Sequence, residues 1–398
     1  MAPLASLKRS VSPPPTNRYS NEIAVPSENE ARHEVEPSLA AVEAGKAQVD
    51  NHLAYFSIRL SRASRLTAAP TPRLSLHQFA ELYHRNESAD GHHFVIHQHD
   101  HPVAGVHYDL RLQFSESSSI SFAVPYGMPG DPNSRRQLRM AIETRVHNLW
   151  NHLIESASHA TGSLLIWDIG EYEVLPKQSK PVVETDDELS AEEGASGTDS
   201  ASRPEPVKLA EAFQVRRIHL RLHGTKLPHN YTLNLRLPTS NDHPAKHPTP
   251  ARRKRRRKTP SSTKTPVDST TSDSGDARDA RDEAIASRAG HASDDDESRD
   301  TAEDRTIRAT NTYPGATNSI GSVHQRRWVL TLDREASGFE RVRKGVERGR
   351  WVRRWEAFYV RGREEERSVV TGRLAGELMQ DEGVEGYAGR KMWMPILG

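Results

Sequence analysis

The sequence predicts a mainly β fold, a small closed or partly open β-barrel of about eight strands with short flanking helices and long disordered insertions. Segments in which apolar and polar residues alternate with period two recur along the chain. The stretches between several of them are rich in Pro, Ser and charge. Only 34% of the 398 residues are hydrophobic and the mean hydropathy is -0.76, whereas ordinary domains are roughly 45–50% apolar. We therefore expect one folded domain rather than two.

The amino-terminal part of the chain, residues 1–70, is predicted to be disordered apart from one possible helix. Ser38–Leu66 contains helix-forming residues with scattered apolar spacing, and the breaker AAPTPR follows it. Leu74–Arg85 predicts a short helix that leads into the barrel. We place the barrel itself at residues 71–237.

The barrel strands are predicted from period-two alternation bounded by turn residues. NLWNHLIESA, which follows the fourth strand, is predicted to be a short helix. The expected strands are 94–99, 106–114, 119–127, 138–147, 162–175, 213–224, 230–237 and 326–334.

Two insertions of low complexity separate these strands. Residues 177–206 form an acidic, Ser-rich spacer, and residues 238–322 form a linker that contains the basic run Arg252–Lys258. Such a run is typical of a nuclear-import signal or of a tether that neutralises nucleic-acid phosphates. We expect the protein in the nucleus, or otherwise in the cytoplasm. Residues 323–398 supply the last barrel strand and a C-terminal extension.

The composition excludes several classes of protein. The chain has no cysteine, so disulfides and thiolate metal sites are excluded and any metal must be held by His and carboxylate groups. No apolar run approaches the roughly 18 residues of a membrane helix, so we expect no membrane span. We expect a monomer.

The chemistry of the chain is concentrated in HHFVIHQHDHPVAGVHYDLRL, residues 92–112, which holds six of the twenty histidines. Alternate residues of a strand share a face, so His107, Asp109 and Arg111 point one way and their apolar neighbours the other. Imidazole and carboxylate are ligands for a first-row metal ion, and a guanidinium suits a phosphate. The alternative is that these polar residues form the solvated face of an ordinary hairpin.

The preceding strand has the same pattern. His97 and His99 share a face, and a hairpin across DHPVAG would bring His99 close to His107. His99, His107 and Asp109 would then form a three-ligand site that leaves open positions for water and substrate, as a catalytic metal requires.

FVIHQHD followed by VHYDLRLQ resembles the signature of the DNA ligase D 3′-phosphoesterase domain family. Further similar segments follow in the family's order, and the resemblance covers residues 90–237 and 324–335, as in a stand-alone relative of the fungal type. These segments are SFAVPYGMPGDP, LRMAIETRVH, TGSLLIWDIGEYEVL and IHLRLHGTKLPHNYTLNLRL.

The resemblance implies a β-barrel hydrolase of DNA repair that removes 3′-phosphates and terminal 3′-ribonucleotides, so that a ligase can act next. It implies a divalent metal, typically Mn²⁺, with Zn²⁺ or Co²⁺ as alternatives. The implied metal ligands are His99, His107 and Asp109. Arg111, Arg139 and His147 are the implied catalytic, phosphate-contacting residues.

The sequence departs from the family pattern at several positions. The loop after the first strand is two residues longer than in the family. Counted in residues from Phe94, the first ligand is His99, whereas counted back from His107 it is His101. Strand phase favours His99. Val146-His147-Asn148 replaces Asp-His-Pro, and Asn151 stands where the family has a tyrosine. ESASHA replaces a Gly-rich stretch.

These departures affect the substrate side more than the metal side, and they leave three hypotheses open. The first is an end-processing enzyme, with DNA or RNA as its substrate. The second is an adaptor that binds nucleic-acid ends with weak catalysis or none. The third is a nuclear scaffold in which the insertions carry the function.

Overall fold

The computed structural model of the chain describes residues 49–176, 203–242, 302–352, 355–390 and 393–397, together with Leu39, Val42 and Ala47. All of them belong to one unit, Ser38–Gly398. Most of the acidic spacer and the whole basic run Arg252–Lys258 lie outside the described residues. Within those residues, no helix combines the length and the apolar character needed to cross a membrane.

Eight strands lie where the alternation predicts them, and four short strands, β5, β6, β11 and β12, are additions. In chain order they are β1 His93–His101, β2 Gly105–Gln113, β3 Ser118–Val124, β4 Arg139–Glu143, β5 His147–Asn148, β6 Ser156–Ser158, β7 Gly162–Val174, β8 Arg217–Gly224, β9 Thr232–Arg236, β10 Arg327–Leu332, β11 Glu340–Arg341 and β12 Trp351–Val352. The helices are α1 His52–Ala63, α2 Leu76–His84, α3 Glu205–Gln214, α4 Ala302–Thr310 and α5 Ala375–Asp381, with 3₁₀ turns at Leu149–Leu153 and Thr239–Asn241.

Eight of these strands close into a barrel. They follow one another in the order β1-β2-β3-β4-β10-β9-β8-β7, and β7 pairs with β1 to complete the circuit. Every neighbouring pair is antiparallel. β5 adds to β3 and β6 adds to β7 outside this circuit. The predicted mainly β fold is confirmed, and the barrel is closed rather than partly open.

The interior of the barrel is filled by apolar side chains from alternate strand positions. Phe94 and Ile96 on β1 and Tyr108, Leu110 and Leu112 on β2 all belong to this cluster and are fully buried. Trp167 of β7 belongs to the same cluster and is 1% exposed.

A second apolar cluster covers the outside of the wall that β1 and β7 form. α1 and α2 contribute to it, together with Val95 of β1, Ile169 of β7 and the loop residues Val369 and Val370. Both helices begin at a side-chain cap: Asn51 Oδ1 accepts from the Ala54 amide at 2.8 Å, and Ser75 forms a capping box with Gln78. This part of the barrel wall is therefore buried on both faces.

The end of the expected linker is part of the fold. α4 is followed by a segment that pairs Thr312 with Val146 and accepts a hydrogen bond from Asn148 Nδ2 to the Pro314 carbonyl at 2.7 Å. Residues 302–322 thus differ from the disorder expected for 238–322. Ile320 of this segment is buried in the interior cluster, and hydrogen bonds that hydropathy does not detect hold the rest.

Candidate metal and phosphate site

The β1–β2 hairpin places its polar residues in pairs on the outer face of the barrel. His99 lies directly opposite His107, and His97 lies opposite Asp109. Val95 lies opposite Arg111, so the arginine continues the row from Asp109. The expectation that the hairpin brings His99 to His107 is confirmed, and the two imidazole centroids are 4.7 Å apart.

His99, His107 and Asp109 form one group. Each residue offers a ligand atom, and the three atoms lie within 4.8 Å of one another. His99 Nδ1 is 3.4 Å from Asp109 Oδ2, and His107 Nε2 is 3.5 Å from Asp109 Oδ1. His107 and Asp109 are each 5% exposed, so this is not a solvated strand face.

Backbone carbonyls fix the orientation of both imidazole rings. His99 Nε2 donates to the Thr161 carbonyl at 2.9 Å, and His107 Nδ1 donates to the Gly105 carbonyl at 2.9 Å. A carbonyl oxygen only accepts, so these nitrogens carry the protons in the neutral rings. The lone pairs of His99 Nδ1 and His107 Nε2 therefore face the Asp109 carboxylate, as the second-sphere contacts of a metal site arrange them.

The charges in this group favour a bound cation. Burial would raise the pKa of Asp109, but His107, His99 and Arg111 together hold it below its usual range, so the carboxylate is ionised. Burial lowers the pKa of His107 to about 4, so that ring is neutral at neutral pH. Asp109 Oδ1 is buried and has no hydrogen-bond partner among the described residues. A carboxylate and two imidazole lone pairs that face one another fit a divalent metal ion.

His101, the competing first ligand, has a different role. Its Nδ1 accepts from the amides of Val103 at 3.2 Å and Ala104 at 3.3 Å, which holds the β1–β2 turn. The other nitrogen of the neutral ring then carries the proton, so His101 has no lone pair left for a metal ion. The structure thus favours His99 over His101, as strand phase does.

Arg111 and His147 lie next to this group on the outer face. Arg111 is 4% exposed, and its guanidinium is 3.7 Å from Asp109 Oδ2 and 3.5 Å from the Asn151 carbonyl. His147 in β5 lies opposite Ser119. Burial and the nearby Arg111 lower the pKa of His147 well below its usual value, although Asp109 acts in the opposite direction. His147 Nδ1 is buried without a hydrogen-bond partner among the described residues.

Residues 97–235 match the family model of the DNA Ligase D 3′-phosphoesterase domain. This stretch of the chain is similar to that family. The match includes β1 from His97 onward and continues into β9, so the phosphoesterase domain contains every predicted site residue. α1, α2, β10 and the C-terminal extension lie outside the matched residues. No curated protein matches the chain. The family supports a hydrolase role of the phosphoesterase type.

One predicted site residue of the phosphoesterase domain lies elsewhere. The register pairs Phe122 of the barrel interior with Glu143, so Glu143, Ala141 and Arg139 point inward. Arg139 donates to the carbonyls of Arg136 and Leu138. The structure therefore does not bring Arg139 to the His99–His107–Asp109 group, which is on the outer face.

Arg145 is an outer-face arginine that the sequence reasoning missed. Val146 packs into the barrel interior, so its neighbours Arg145 and His147 point the other way. Arg145 is 7% exposed and is close enough to affect the pKa of His147. Its spacing of two residues from His147 is the signal that could have identified it.

Buried histidines extend beyond the metal-binding group. His93 approaches His152 with 2.7 Å between the two Nδ1 atoms. His97 Nε2 donates to the Ile154 carbonyl at 3.1 Å, beside the metal-binding group and outside it. His152 lies close enough to Arg111, His97 and His147 to feel their charges. The outer face of β1 thus carries His93, His97 and His99, with Val95 between His93 and His97.

Proposed function

We propose that the protein is a divalent-metal-dependent 3′-phosphoesterase that trims 3′-phosphate or 3′-ribonucleotide ends of nucleic acid in DNA repair. The observation that supports this most directly is the His99–His107–Asp109 group, with both imidazoles oriented by backbone carbonyls and with Arg111 adjacent. The family match supplies the reaction class, because the family acts as a phosphoesterase.

In this proposal His99 Nδ1, His107 Nε2 and the Asp109 carboxylate hold the metal ion, Mn²⁺ or alternatively Zn²⁺ or Co²⁺. A bound divalent ion supplies positive charge beside a phosphoryl group and makes water a better nucleophile at neutral pH. The Thr161 and Gly105 carbonyls keep the two rings from rotating away.

The adjacent cations bind the phosphate. Arg111 presents a planar guanidinium next to Asp109, and Arg145 adds a second from the side of His147. Both are nearly buried, which strengthens their attraction for an anion. His147 Nδ1 hydrogen-bonds the phosphate or gives a proton to the leaving oxygen, once the dianion raises the pKa of the ring from its low value in the free protein.

The second candidate function is an adaptor that binds nucleic-acid ends with weak turnover or none. The inward direction of Arg139 favours it, since one of the implied phosphate contacts is then missing. Asn151 also replaces a family tyrosine, and it faces Arg111 with its backbone carbonyl.

The expected partners are nucleic-acid 3′ ends and, after trimming, a ligase. The basic run Arg252–Lys258 supports a nuclear location. In this proposal the protein acts as a monomer.

The test uses the purified full chain with a labelled primer–template that ends in a 3′-phosphate, and a matched substrate that ends in one ribonucleotide. With Mn²⁺, Zn²⁺ or Co²⁺ the wild type should yield a 3′-hydroxyl, and His107→Ala should abolish the product. His92→Ala, in the same segment but outside the group, is the control and should retain activity. Metal-dependent binding without product for every metal would establish the adaptor. The absence of both product and binding would reject both functions.

A further inference from the structure

The C-terminal extension is anchored to the residue that follows the first proposed metal ligand. Asp100 is 1% exposed and forms an ion pair with Arg363 of the extension. Tyr387 Oη donates to the Asp100 carbonyl at 2.8 Å. A Cβ on Gly389 would lie 3.0 Å from Asp100 Oδ2, so the chain passes directly beside the Asp100 side chain.

A second anchor lies on the other side of β2. Trp393 Nε1 donates to the Pro125 carbonyl, just after β3, at 2.7 Å. The Trp393 indole also packs against Gly362 and lies 6.5 Å from the Tyr108 ring. Tyr387 and Trp393 therefore contact the barrel on either side of the start of β2.

Arg390 occupies the outer face at the start of β2. Gly105 opens β2 with a φ of +77°, and a Cβ built on it would lie 3.4 Å from both Cβ and Cδ of Arg390. Gly105, His107, Asp109 and Arg111 alternate along one strand and share its outer face. The aliphatic stem of Arg390 thus lies where a side chain at position 105 would stand, next in the row to His107.

The head group of Arg390 is placed to bind an anion. Its Nη1 is buried and has no hydrogen-bond partner among the described residues. A buried guanidinium N–H without an acceptor is unfavourable, and a phosphate oxygen would satisfy it. Arg111 stands at the other end of the row that begins at Gly105, so the Arg390 stem and Arg111 lie at opposite ends of the row that holds His107 and Asp109.

We propose that the C-terminal extension completes the substrate site, with Arg390 binding a terminal phosphate monoester from the side of His107 opposite to Arg111. This inference rests on the proposed function, because it takes the outer-face group to be the reaction site. A phosphate monoester carries up to two negative charges, whereas an internal diester carries one. Two flanking guanidiniums therefore select a 3′-phosphate end over a 3′-hydroxyl end.

The test compares Arg390→Gln with Arg361→Gln in the full-length protein. Arg361 is an exposed arginine of the same extension, and its ion pair is with Glu365 at 3.1 Å. Fluorescence anisotropy with chelator present measures the dissociation constants of two labelled oligonucleotides that differ only in a 3′-phosphate or a 3′-hydroxyl. Arg390→Gln should lower the preference for the 3′-phosphate about tenfold or more, mainly through weaker binding of that oligonucleotide, and Arg361→Gln should leave it unchanged.

Arg390→Lys separates recognition from packing, since it keeps an aliphatic stem over Gly105 and loses the planar fork. It should keep the thermal midpoint of the wild type and recover part of the preference. The inference is overturned if Arg390→Gln keeps the 3′-phosphate preference within about twofold of wild type, or if Arg390→Gln and Arg390→Lys weaken the binding of both oligonucleotides equally.

The binding measurement needs no turnover, so the two proposals fail separately. A preference that depends on Arg390 in a protein without turnover would reject the esterase and retain the inference. If the wild type turns over substrate and Arg390→Gln matches its KM and kcat, the esterase is retained and the inference is rejected.

Discussion

The two faces of the β1–β2 hairpin are both buried, yet they carry opposite chemistry. All nine residues of β2 are buried, and alternate ones belong to the interior cluster or to the outer polar row. Inside, Tyr108, Leu110 and Leu112 pack against apolar neighbours. Outside, His107, Asp109 and Arg111 lie beside histidines of β1 and are covered only in part by apolar side chains. Burial alone therefore does not distinguish the core of this barrel from its proposed reaction site.

The difference lies in what each buried group needs. An apolar side chain needs only a neighbour of suitable shape, whereas a buried polar group needs a partner for each lone pair and proton. On the outer face, backbone carbonyls satisfy one nitrogen of His99, His107 and His97, and the second nitrogen stays directed toward neighbouring polar groups. The inner face should determine stability, and the outer face should determine binding and reaction.

The largest expected effect separates binding from stability on the outer face. Asp109→Asn should abolish activity, and it should remove the thermal stabilisation by Mn²⁺, which for the wild type is about 2.7 kcal/mol at a metal concentration 100 times the dissociation constant. The metal-free variant should be at least as stable as metal-free wild type, because the new amide N–H gives the imidazole lone pairs a donor. Calorimetry with and without metal measures both quantities. Equal stabilisation of wild type and variant by Mn²⁺ would place the metal elsewhere.

On the inner face, Leu110→Ala should lower the free energy of unfolding by about 2–5 kcal/mol, because it opens a cavity in a fully buried cluster. The folded fraction should bind metal and the 3′-phosphate oligonucleotide as wild type does. Urea unfolding and metal titration at a temperature where the variant is folded measure the two effects. A change in metal affinity beyond about threefold would show that the two faces are coupled.

Arg145 points outward and Arg139 points inward, so variants of these two arginines form a matched pair. Arg145→Gln should lower kcat/KM by about 10- to 100-fold, as the loss of one charge-assisted phosphate contact does. Arg139→Gln should leave kcat/KM within about threefold, since Arg139 points inward and donates to backbone carbonyls. The reverse order of the two variants would show that the site forms on the inner face instead.

The buried histidine pair should make the outer face sensitive to acid. Burial lowers the pKa of His93 to about 3 from the ordinary 6.5. Below pH 6.5 this histidine takes up a proton in the unfolded chain but stays neutral in the folded protein down to about pH 3. Between these pH values it therefore lowers the free energy of unfolding by up to about 1.4 kcal/mol for each pH unit of acidification. His93→Leu combined with His152→Leu should flatten this dependence, which urea unfolding between pH 7 and pH 4 measures. An unchanged slope would mean that the pair does not titrate in this window.

Period-two alternation predicted the eight barrel strands, because each has an apolar face toward one interior. It also predicted the convergence of His99, His107 and Asp109, since hairpin register follows from strand phase and turn length. That these residues bind a metal stays a prediction.

Other features could not be predicted from alternation. In β4 the inward face carries Arg139, Ala141 and Glu143 and the outer face carries the apolar Met140 and Ile142, so alternation did not show that Arg139 turns inward. Tyr313 stacks on His147 at 4.8 Å from a polar segment with no apolar pattern. The crossing of Arg390 over Gly105 joins positions far apart in the chain, and only the folded extension brings them together.

The closing strand β10 lies between β4 and β9, but 90 residues separate it from β9. Antiparallel neighbours can be joined by a turn of a few residues, so a connection of this length is not required by the sheet. The barrel is thus built from two pieces of chain that meet edge to edge. Two fragments divided between residues 242 and 302 could in principle associate into the same barrel, so this protein is a natural candidate for complementation in trans.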